Sequence, residues 1–175
     1  VSRMVLGRAS SGKEGIFLLW HWWDYELPSL ESGYSALIPG SPRDICYAAS
    51  FDGGRTWQRA DGTLYDLPIQ RITGDYIYKG ENVIYFGGLT IDSQGVPHVL
   101  YSTGSWSSSR LYHAKWEGRW VISLVGEKIF SPTLTADTSG VLHGFAMRRT
   151  NKGGLYEIVY LRSEDKGSSW TIRYV

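Results

Sequence analysis

The sequence predicts an all-β chain built from repeated four-stranded antiparallel units, and three observations support this prediction. Two octamers share one pattern of Ser, Asp, Gly and Trp that is typical of β-hairpin turns. A second pattern recurs 45 positions later in the chain, for example from Asp92 to Asp137. The composition, with 21 glycines and 14% aromatic residues, favours strands joined by many turns.

Each octamer fits a tight hairpin turn. In the first, at 50–57, Asp52 can accept hydrogen bonds from N–H groups of the turn, and Gly53 and Gly54 allow the positive φ that the turn requires. Trp57 then begins the next strand as its first large apolar residue. The second octamer, at 163–170, keeps the same spacing. The structural positions of the two turns are Ser50, Asp52, Gly54 and Trp57, and Ser163, Asp165, Gly167 and Trp170.

With these two turns, the sequence resembles the Asp-box, or BNR-repeat, proteins. These are β-propellers that include sialidases and several polysaccharide-degrading enzymes. In that family the turn is a structural feature on the outer rim of each blade, away from the active centre. The resemblance therefore implies a β-propeller fold and says little about chemistry.

The 45-residue repeat sets the size of one unit. Five residues recur at that offset: Thr90, Asp92, Gly95, Val96 and His98 are followed by Thr135, Asp137, Gly140, Val141 and His143. A propeller blade of four strands takes about 40–50 residues, so the offset corresponds to one blade. Each copy is predicted to be a strand, a D-x-x-G turn and a second strand, and a degenerate copy lies at 4–23. Because the two histidines occupy the same place in successive repeats, we expect them to serve packing.

The elements follow in chain order. The first unit has predicted strands at 4–6, 16–23 and 44–49, then the turn, and a fourth strand directly after it. The second unit has its third strand at 110–115 and a turn at 116–120. The third has strands at 155–162 and 171–174. The prediction is about twelve strands and no amphipathic helix, in blades at approximately 1–60, 83–123 and 131–175, with a long loop at 58–82.

Three blades do not close a ring, since propellers have four to eight. The 175 residues are therefore predicted to form a single partial domain, an arc of a larger propeller of about seven blades. The chain also begins at Val1 within a strand pattern. We expect the missing blades to come from the rest of the parent chain, and completion of the ring by another chain is the alternative.

Charge and composition exclude several kinds of partner and site. The formal net charge is +1 without a long charge run, so we expect neither nucleic acid nor a membrane as partner. Cys46 is the only cysteine, which excludes an internal disulfide and an all-cysteine metal site. There is no phosphate loop, nucleophile elbow or histidine–carboxylate cluster, so no cofactor and no metal are predicted.

Candidate site residues are expected at one end of the blades, on the loops at 20–43, 59–81, 101–109, 126–131 and 148–154. Arginines there can bind a carboxylate or sulfate, and aromatic side chains can stack on sugar rings; solvated arginines and core aromatics are the alternatives. The substrate-binding candidates are Trp20, Trp22, Trp23, Arg43, Trp106, Arg110 and Arg148, with Arg149, Tyr78 and Tyr85 as further ones. His21 is the candidate catalytic residue, and Asp24, Glu26 and Glu31 are candidate acids or bases.

Strand alternation divides the aromatic stretch at 20–23 into two faces. Trp20 and Trp22 are predicted to point to one side, and His21 and Trp23 to the other. One pair is expected to pack between blades, and the other to reach the central channel.

The resemblance extends to the stretches 43–50, 61–69 and 92–101. They are similar to the neuraminidase-like branch of the BNR-repeat proteins, which includes seven-bladed lyases that cleave uronate-containing polysaccharides such as ulvan. In those lyases a tyrosine acts as base and acid, while arginine and histidine neutralise the uronate carboxylate. None of these residues can be matched to a position in this chain. The sialidase pattern, an arginine triad with a Tyr/Glu pair and an acidic Asp, does not transfer either.

The resemblance thus implies the C-terminal part of a carbohydrate-active propeller that acts on an acidic polysaccharide by eliminative cleavage. A sialidase-type glycoside hydrolase acting on sialylated glycans, and a non-catalytic propeller that binds a glycan or a protein, are the alternatives. We expect this segment alone to be inactive. A polysaccharide substrate would imply a secreted or periplasmic parent protein.

Overall fold

A computed structural model describes residues 2–23, 42–80, 83–105, 107–150 and 155–175. These residues form twelve β-strands and one short 3-10 helix, and the strands make three four-stranded antiparallel sheets. The predicted fold class, an all-β propeller arc of three four-stranded blades, is confirmed. Within the described residues, no helix is long and apolar enough to cross a membrane.

In every sheet, strands that follow one another in the chain also lie side by side. The first sheet contains β1 (Ser2–Arg8), β2 (Glu14–Trp23), β3 (Pro42–Ser50) and β4 (Asp75–Tyr78). The second contains β5 (Val83–Ile91), β6 (Pro97–Thr103), β7 (Arg110–Trp116) and β8 (Trp120–Glu127). The third contains β9 (Ile129–Ala136), β10 (Leu142–Arg149), β11 (Tyr156–Ser163) and β12 (Thr171–Tyr174).

The fourth strand of the first sheet lies later in the chain than predicted. The prediction of a strand directly after the turn at 50–57 is wrong, because that segment makes only isolated bridges through Gln58. Tyr65 explains the later position of β4. Its buried hydroxyl donates to the Tyr47 carbonyl and accepts the Asp75 N–H, each at 2.8 Å, and so ties the start of β4 to β3. A contact between residues distant in the chain thus fixes where β4 begins.

The core consists of two layers, one on each side of the second sheet. Val99 and Tyr101 of β6 belong to the layer shared with the first sheet, whereas Leu100 between them belongs to the layer shared with the third. This is the period-2 alternation of a strand that is buried on both faces. The second sheet is therefore the packed centre of the arc, and the first and third sheets each have an outer face.

The 45-residue repeat corresponds to one turn that recurs in all three sheets. Asp92 N–H donates to the Val96 carbonyl at 3.0 Å, and Asp137 N–H makes the same bond to Val141 at 3.0 Å. In the degenerate first copy, Ala9 N–H donates to Lys13 at 2.8 Å. The backbone turn thus survives where its aspartate is replaced.

The two octamers form turns with matching hydrogen bonds. Asp52 accepts the Thr56 N–H at 2.9 Å and the Thr56 hydroxyl at 2.6 Å, and these bonds lower the Asp52 pKa to about 2. The Ser50 hydroxyl accepts the Gly54 N–H at 2.9 Å. In the second turn, equivalent bonds join Gly167 to Ser163 at 2.7 Å and Ser169 to Asp165 at 2.8 Å. The two turns directly follow β3 and β11. The predicted site loops at 20–43 and 148–154 come before these strands, so the turns and the site loops are at opposite ends of the strands.

Candidate functional site

The candidate residues gather where β2, β4, β6, β8 and β10 end and where β3, β7 and β11 begin. Strand direction alternates in an antiparallel sheet, so these termini share one end of the molecule, hereafter the loop end. Several predicted residues lie outside the described part of the chain: Asp24, Glu26, Glu31 and Trp106, and the side chains of Trp23 and Tyr85.

Basic side chains outnumber acidic ones among the described residues at the loop end. The basic ones are Arg3, Arg43, Arg71, Lys79, Arg110, Lys128, Arg148 and Arg149. The acidic ones are Asp44, Glu127 and Glu157. The opposite end carries both signs in similar number. Its acidic residues are Glu14, Asp52, Asp92, Glu117, Asp137, Glu164 and Asp165, and its basic residues are Arg8, Lys13, Arg55, Lys115, Arg119, Arg162 and Lys166. Among the described residues, the loop end therefore carries more positive than negative charge, which favours an anionic ligand.

A group of three charged residues lies at the start of β3. The Asp44 side chain is buried and accepts two hydrogen bonds on one oxygen from Arg71, from Nε at 2.9 Å and Nη2 at 2.6 Å. Its other oxygen accepts the Gly80 N–H at 2.9 Å. The Arg43 Nε lies 3.7 Å from the oxygen that Arg71 binds. One carboxylate thus holds two guanidinium groups beside each other.

Lys79 and Tyr76 extend this group. The Lys79 ammonium lies 5.0 Å from the centre of the Tyr76 ring. The Tyr76 hydroxyl in turn donates a hydrogen bond to the Arg71 carbonyl. The positive charge at the start of β3 therefore continues onto the end of β4.

Over the described side chains at 20–22, the aromatic stretch at the end of β2 divides between two faces, as predicted. Trp20 and Trp22 contact each other edge to face at 6.3 Å, on the side of the first sheet away from the second. His21 lies on the same side of the strand as Leu19, which is part of the core shared with the second sheet. Burial lowers the His21 pKa to about 4, so this ring is neutral at neutral pH and adds no positive charge. Its proposed catalytic role remains a prediction.

The other candidate arginines lie on different sheets from Arg43. Arg110 begins β7 and is largely exposed, with its Nε 3.5 Å from Glu127. Arg148, near the end of β10, bonds the Tyr174 hydroxyl, and its guanidinium lies 5.5 Å from the centre of that ring. The structure brings Arg43 together with Asp44 and Arg71, and gives Arg110 and Arg148 separate partners.

Two neighbouring histidines, His98 and His113, are buried and form part of the core. The His98 Nδ1 lies 3.0 Å from the His113 Nε2, and its Nε2 lies 3.4 Å from Asp92. Both rings are almost fully buried between the second and third sheets. No group of three or more possible metal ligands occurs in the part of the chain that the structure describes.

Sequence reasoning missed Asp44, Arg71 and Lys79. Asp44 directly follows a candidate, and its pairing with Arg71 spans 27 positions in the chain. No local pattern marks Arg71, because its position depends on how the segment after the first turn folds back on β3. The candidates Arg43, Trp22 and Tyr78 pointed to this part of the sheet, since Trp22 pairs with Arg43 and Tyr78 pairs with Ile45.

Comparison with known proteins agrees with the fold. A family model described as "BNR repeat-containing family member" matches residues 9–128. Two structures of a polysaccharide lyase, the ulvan lyase of PL25, are similar at TM-scores of 0.66 and 0.67 with 16% identity, and the second is bound to -[GlcA(1-4)Rha3S]-. The likeness covers 99% of this chain and 42% of the lyase chain.

A fucose lectin from Kordia zhangzhouensis in complex with methyl-fucoside gives a TM-score of 0.45 with 16% identity, over 98% of this chain and 97% of the lectin. None of the curated protein sequences matches the chain. At 16% identity the two lyase structures indicate the fold alone, whereas the family model covers most of the sequence. The chain belongs to the BNR repeat-containing family.

Proposed function

We propose that the chain is part of a carbohydrate-active propeller and binds an acidic polysaccharide at its loop end. The observation that carries this proposal is the excess of basic over acidic side chains among the described residues at the loop end. Arginine suits such a ligand because its planar guanidinium can bond carboxylate or sulfate oxygens in pairs. The half-buried Trp20 and Trp22, at the same end of the first sheet, add aromatic surface for a sugar ring.

Eliminative cleavage is the reaction we propose for the whole protein. Removal of a proton next to a carboxylate requires that the negative charge of the developing enolate be stabilised, and cationic side chains do this. The loop-end arginines would supply that stabilisation. We assign the proton-transfer residues to another part of the parent chain.

The missing blades are a second part of the proposal. The outer face of the third sheet exposes Phe145, Met147 and Ile158, which are 49%, 37% and 57% exposed. The corresponding face of the second sheet is covered by the third. We propose that a further blade of the parent chain covers Phe145 and its neighbours in the same manner.

The test is to incubate the full-length protein with a sulfated, uronate-containing polysaccharide and to measure both ultraviolet absorbance and reducing ends. New reducing ends accompanied by the absorbance of an unsaturated uronate would support elimination. Reducing ends without that absorbance would favour a sialidase-type or other hydrolase, and binding without either would favour a non-catalytic module. Absence of binding to any acidic glycan would overturn the proposal.

A further inference from the structure

We infer that the outer face of the first sheet is a second docking surface of the arc, and that a further four-stranded sheet of the parent chain covers it. The inference rests on the proposal that the chain is part of a larger propeller. It adds the sheet at the other end of the arc from Phe145 and specifies the residues in contact. The surface, hereafter the β1–β2 patch, consists of Met4, Leu6, Ile16 and Leu18.

The four side chains of the β1–β2 patch lie together on one side of the first sheet. Met4 pairs with Leu18 and Leu6 pairs with Ile16 in the antiparallel ladder, so the side chains of each pair are neighbours. Phe17, between Ile16 and Leu18, points the other way, into the core shared with the second sheet. Met4 and Leu6 are 65% and 77% exposed. A contiguous exposed apolar surface of this kind marks an interaction site.

Leu6 has an equivalent in each of the other two sheets. Leu6, Leu89 and Leu134 each stand three residues before the first residue of the turn that recurs in all three sheets. Leu89 is 3% exposed and belongs to the core of the first and second sheets, and Leu134 packs into the core of the second and third. In both places the preceding sheet of the arc covers the leucine. Leu6 therefore has the position of a core residue, and no described sheet lies in front of it.

The part of the β1–β2 patch on β2 shows the same relation. Ile16 and Val99 each follow the last residue of the recurring turn by three positions, and Leu18 and Tyr101 follow it by five. Val99 and Tyr101 are fully buried against the first sheet, whereas Ile16 and Leu18 are half-buried. The β1–β2 patch thus repeats the side of the second sheet that binds a neighbouring sheet, which identifies a sheet as its partner.

A groove on the β1–β2 patch can accept a large apolar side chain. It has a volume of about 560 Å³, and its lining includes Leu6, Ile16 and Phe51. In the third sheet the equivalent of Ile16 is Gly144, where an added Cβ would lie 3.4 Å from Leu100 of the preceding sheet. We therefore expect the covering sheet to present a large apolar residue, in the place of Leu100, to this groove.

Docking of this sheet is compatible with sugar binding by Trp20. By the same count Trp20 corresponds to Thr103, the last residue of β6, which stays half-buried beside the first sheet. The β1–β2 patch lies farther from the loop end than Trp20 does. A sheet that packs in the same way as the first sheet packs on the second would therefore leave the loop end accessible.

A sheet of the parent chain suits the β1–β2 patch better than a second copy does. To cover the patch in the same way, a second copy would have to present the outer face of its third sheet, which includes Phe145. In the proposed propeller that face is already covered by a further blade. The chain itself therefore supplies the sheets on both sides of the arc.

The experiment introduces single cysteines into the full-length protein and compares their rates of thiol labelling in the native and urea-unfolded states. The natural Cys46 is buried, and burial raises the pKa of its thiol to about 12, so its own labelling is slow. We expect native Leu6→Cys to be labelled at least about tenfold more slowly than the unfolded variant, because a covered side chain reacts only after local opening.

Two leucines serve as matched references, and one further variant repeats the test. Leu89→Cys replaces the covered equivalent of Leu6 and should be protected, whereas Leu124→Cys lies on the outermost strand of the second sheet, where Leu124 is 53% exposed, and should react quickly. Circular dichroism establishes first that each variant is folded. Met4→Cys tests the same surface if Leu6→Cys does not fold.

Phe145→Cys separates this inference from the proposed blade over the third sheet. If Phe145→Cys is protected while Leu6→Cys and Met4→Cys react as quickly as Leu124→Cys, the β1–β2 patch is open and the inference is wrong, but the blade over the third sheet stands. If all of them react quickly, the proposed missing blades fail as well. Protection of Leu6→Cys that disappears on dilution would identify a second copy as the partner and overturn the inference.

Discussion

His98 and His143 occupy the same position in successive repeats, and each bonds the aspartate six residues before it. Their other ring nitrogens meet different partners, His113 at 3.0 Å and the Tyr160 hydroxyl at 2.6 Å. His98 is fully buried because the third sheet covers it, whereas His143 lies on the outer face and is half-buried. At the scale of one residue, the repeat sets the nearest partner, and the neighbouring sheet sets the exposure.

Acid should destabilise the protein through the buried pair His98 and His113. Burial lowers the pKa of both, and the charge of His98 and Lys115 helps to lower the His113 pKa to about 3. Both values are below the unfolded value of about 6.5. The stabilisation that comes from keeping both histidines neutral is therefore complete above pH 6.5. It is lost as the pH falls towards the pKa values of the two histidines in the folded protein. Urea unfolding between pH 7.5 and 4 should show a falling free energy of unfolding.

The charged groups around this pair are Asp92 on the side of His98, Lys115 on the next strand, and Asp165 and Lys166 in the turn of the third sheet. His113→Phe keeps an aromatic ring against Trp170 and removes one titrating group. The variant should be less stable at pH 7 but lose less stability on acidification. An unchanged pH dependence would show that other groups control the acid sensitivity.

At the scale of elements, the turn at 163–170 does more than join β11 to β12. Gly167 of this turn lies against His113, so that an added Cβ would be 1.9 Å from the ring Cε1. Trp170 also contacts His113, with ring centres 5.4 Å apart. In the equivalent turn of the first sheet, a Cβ added at Gly54 would be 3.8 Å from its nearest neighbour, a ring atom of Trp57 in the same turn. The glycine of the turn at 163–170 therefore contacts the second sheet, whereas the glycine of the turn at 50–57 has a neighbour only within its own turn.

Gly167→Ala should consequently be more damaging than Gly54→Ala. Both glycines have positive φ, 83° and 88°, so both substitutions carry the left-handed backbone cost of about 1–2 kcal/mol. Only Gly167→Ala adds the clash with His113. Urea unfolding of the two variants should show a clearly larger loss for Gly167→Ala, and equal losses would refute the proposed intersheet role of this turn.

At the scale of the whole molecule, each intersheet face has an equivalent one repeat later. Leu100 and Leu111 of the second sheet are fully buried beneath the third. His98 is equivalent to His143, and His113 is equivalent to Tyr160. Leu100, two residues after His98, therefore corresponds to Phe145. Leu111, two residues before His113, corresponds to Ile158. Those two side chains are half exposed. A surface that is core in one repeat and exposed in the next is expected to bind another sheet.

Phe145→Ser and Ile158→Ser should therefore lower the Tm of the full-length protein but have little effect on the 175-residue chain alone. Losing a covered large apolar side chain costs about 2–5 kcal/mol, whereas an exposed one contributes little. Leu124→Ser is the control, since Leu124 is 53% exposed on the outermost strand of the second sheet. Equal, small effects of all three substitutions in the full-length protein would indicate that no blade covers the third sheet.

The sequence by itself determined the all-β class and the grouping of the strands in three units, because hairpin turns and strand alternation are local patterns. It also determined the hydrogen bonds of both octamer turns and the opposite faces of His21 and of Trp20 with Trp22. Only the tertiary structure decided the position of β4, the burial of His98 with His113 and the pairing of Asp44 with Arg71. Each of these depends on residues that are distant in the chain and that the packing of sheets and loops brings together. Such contacts produce no regular spacing in the sequence.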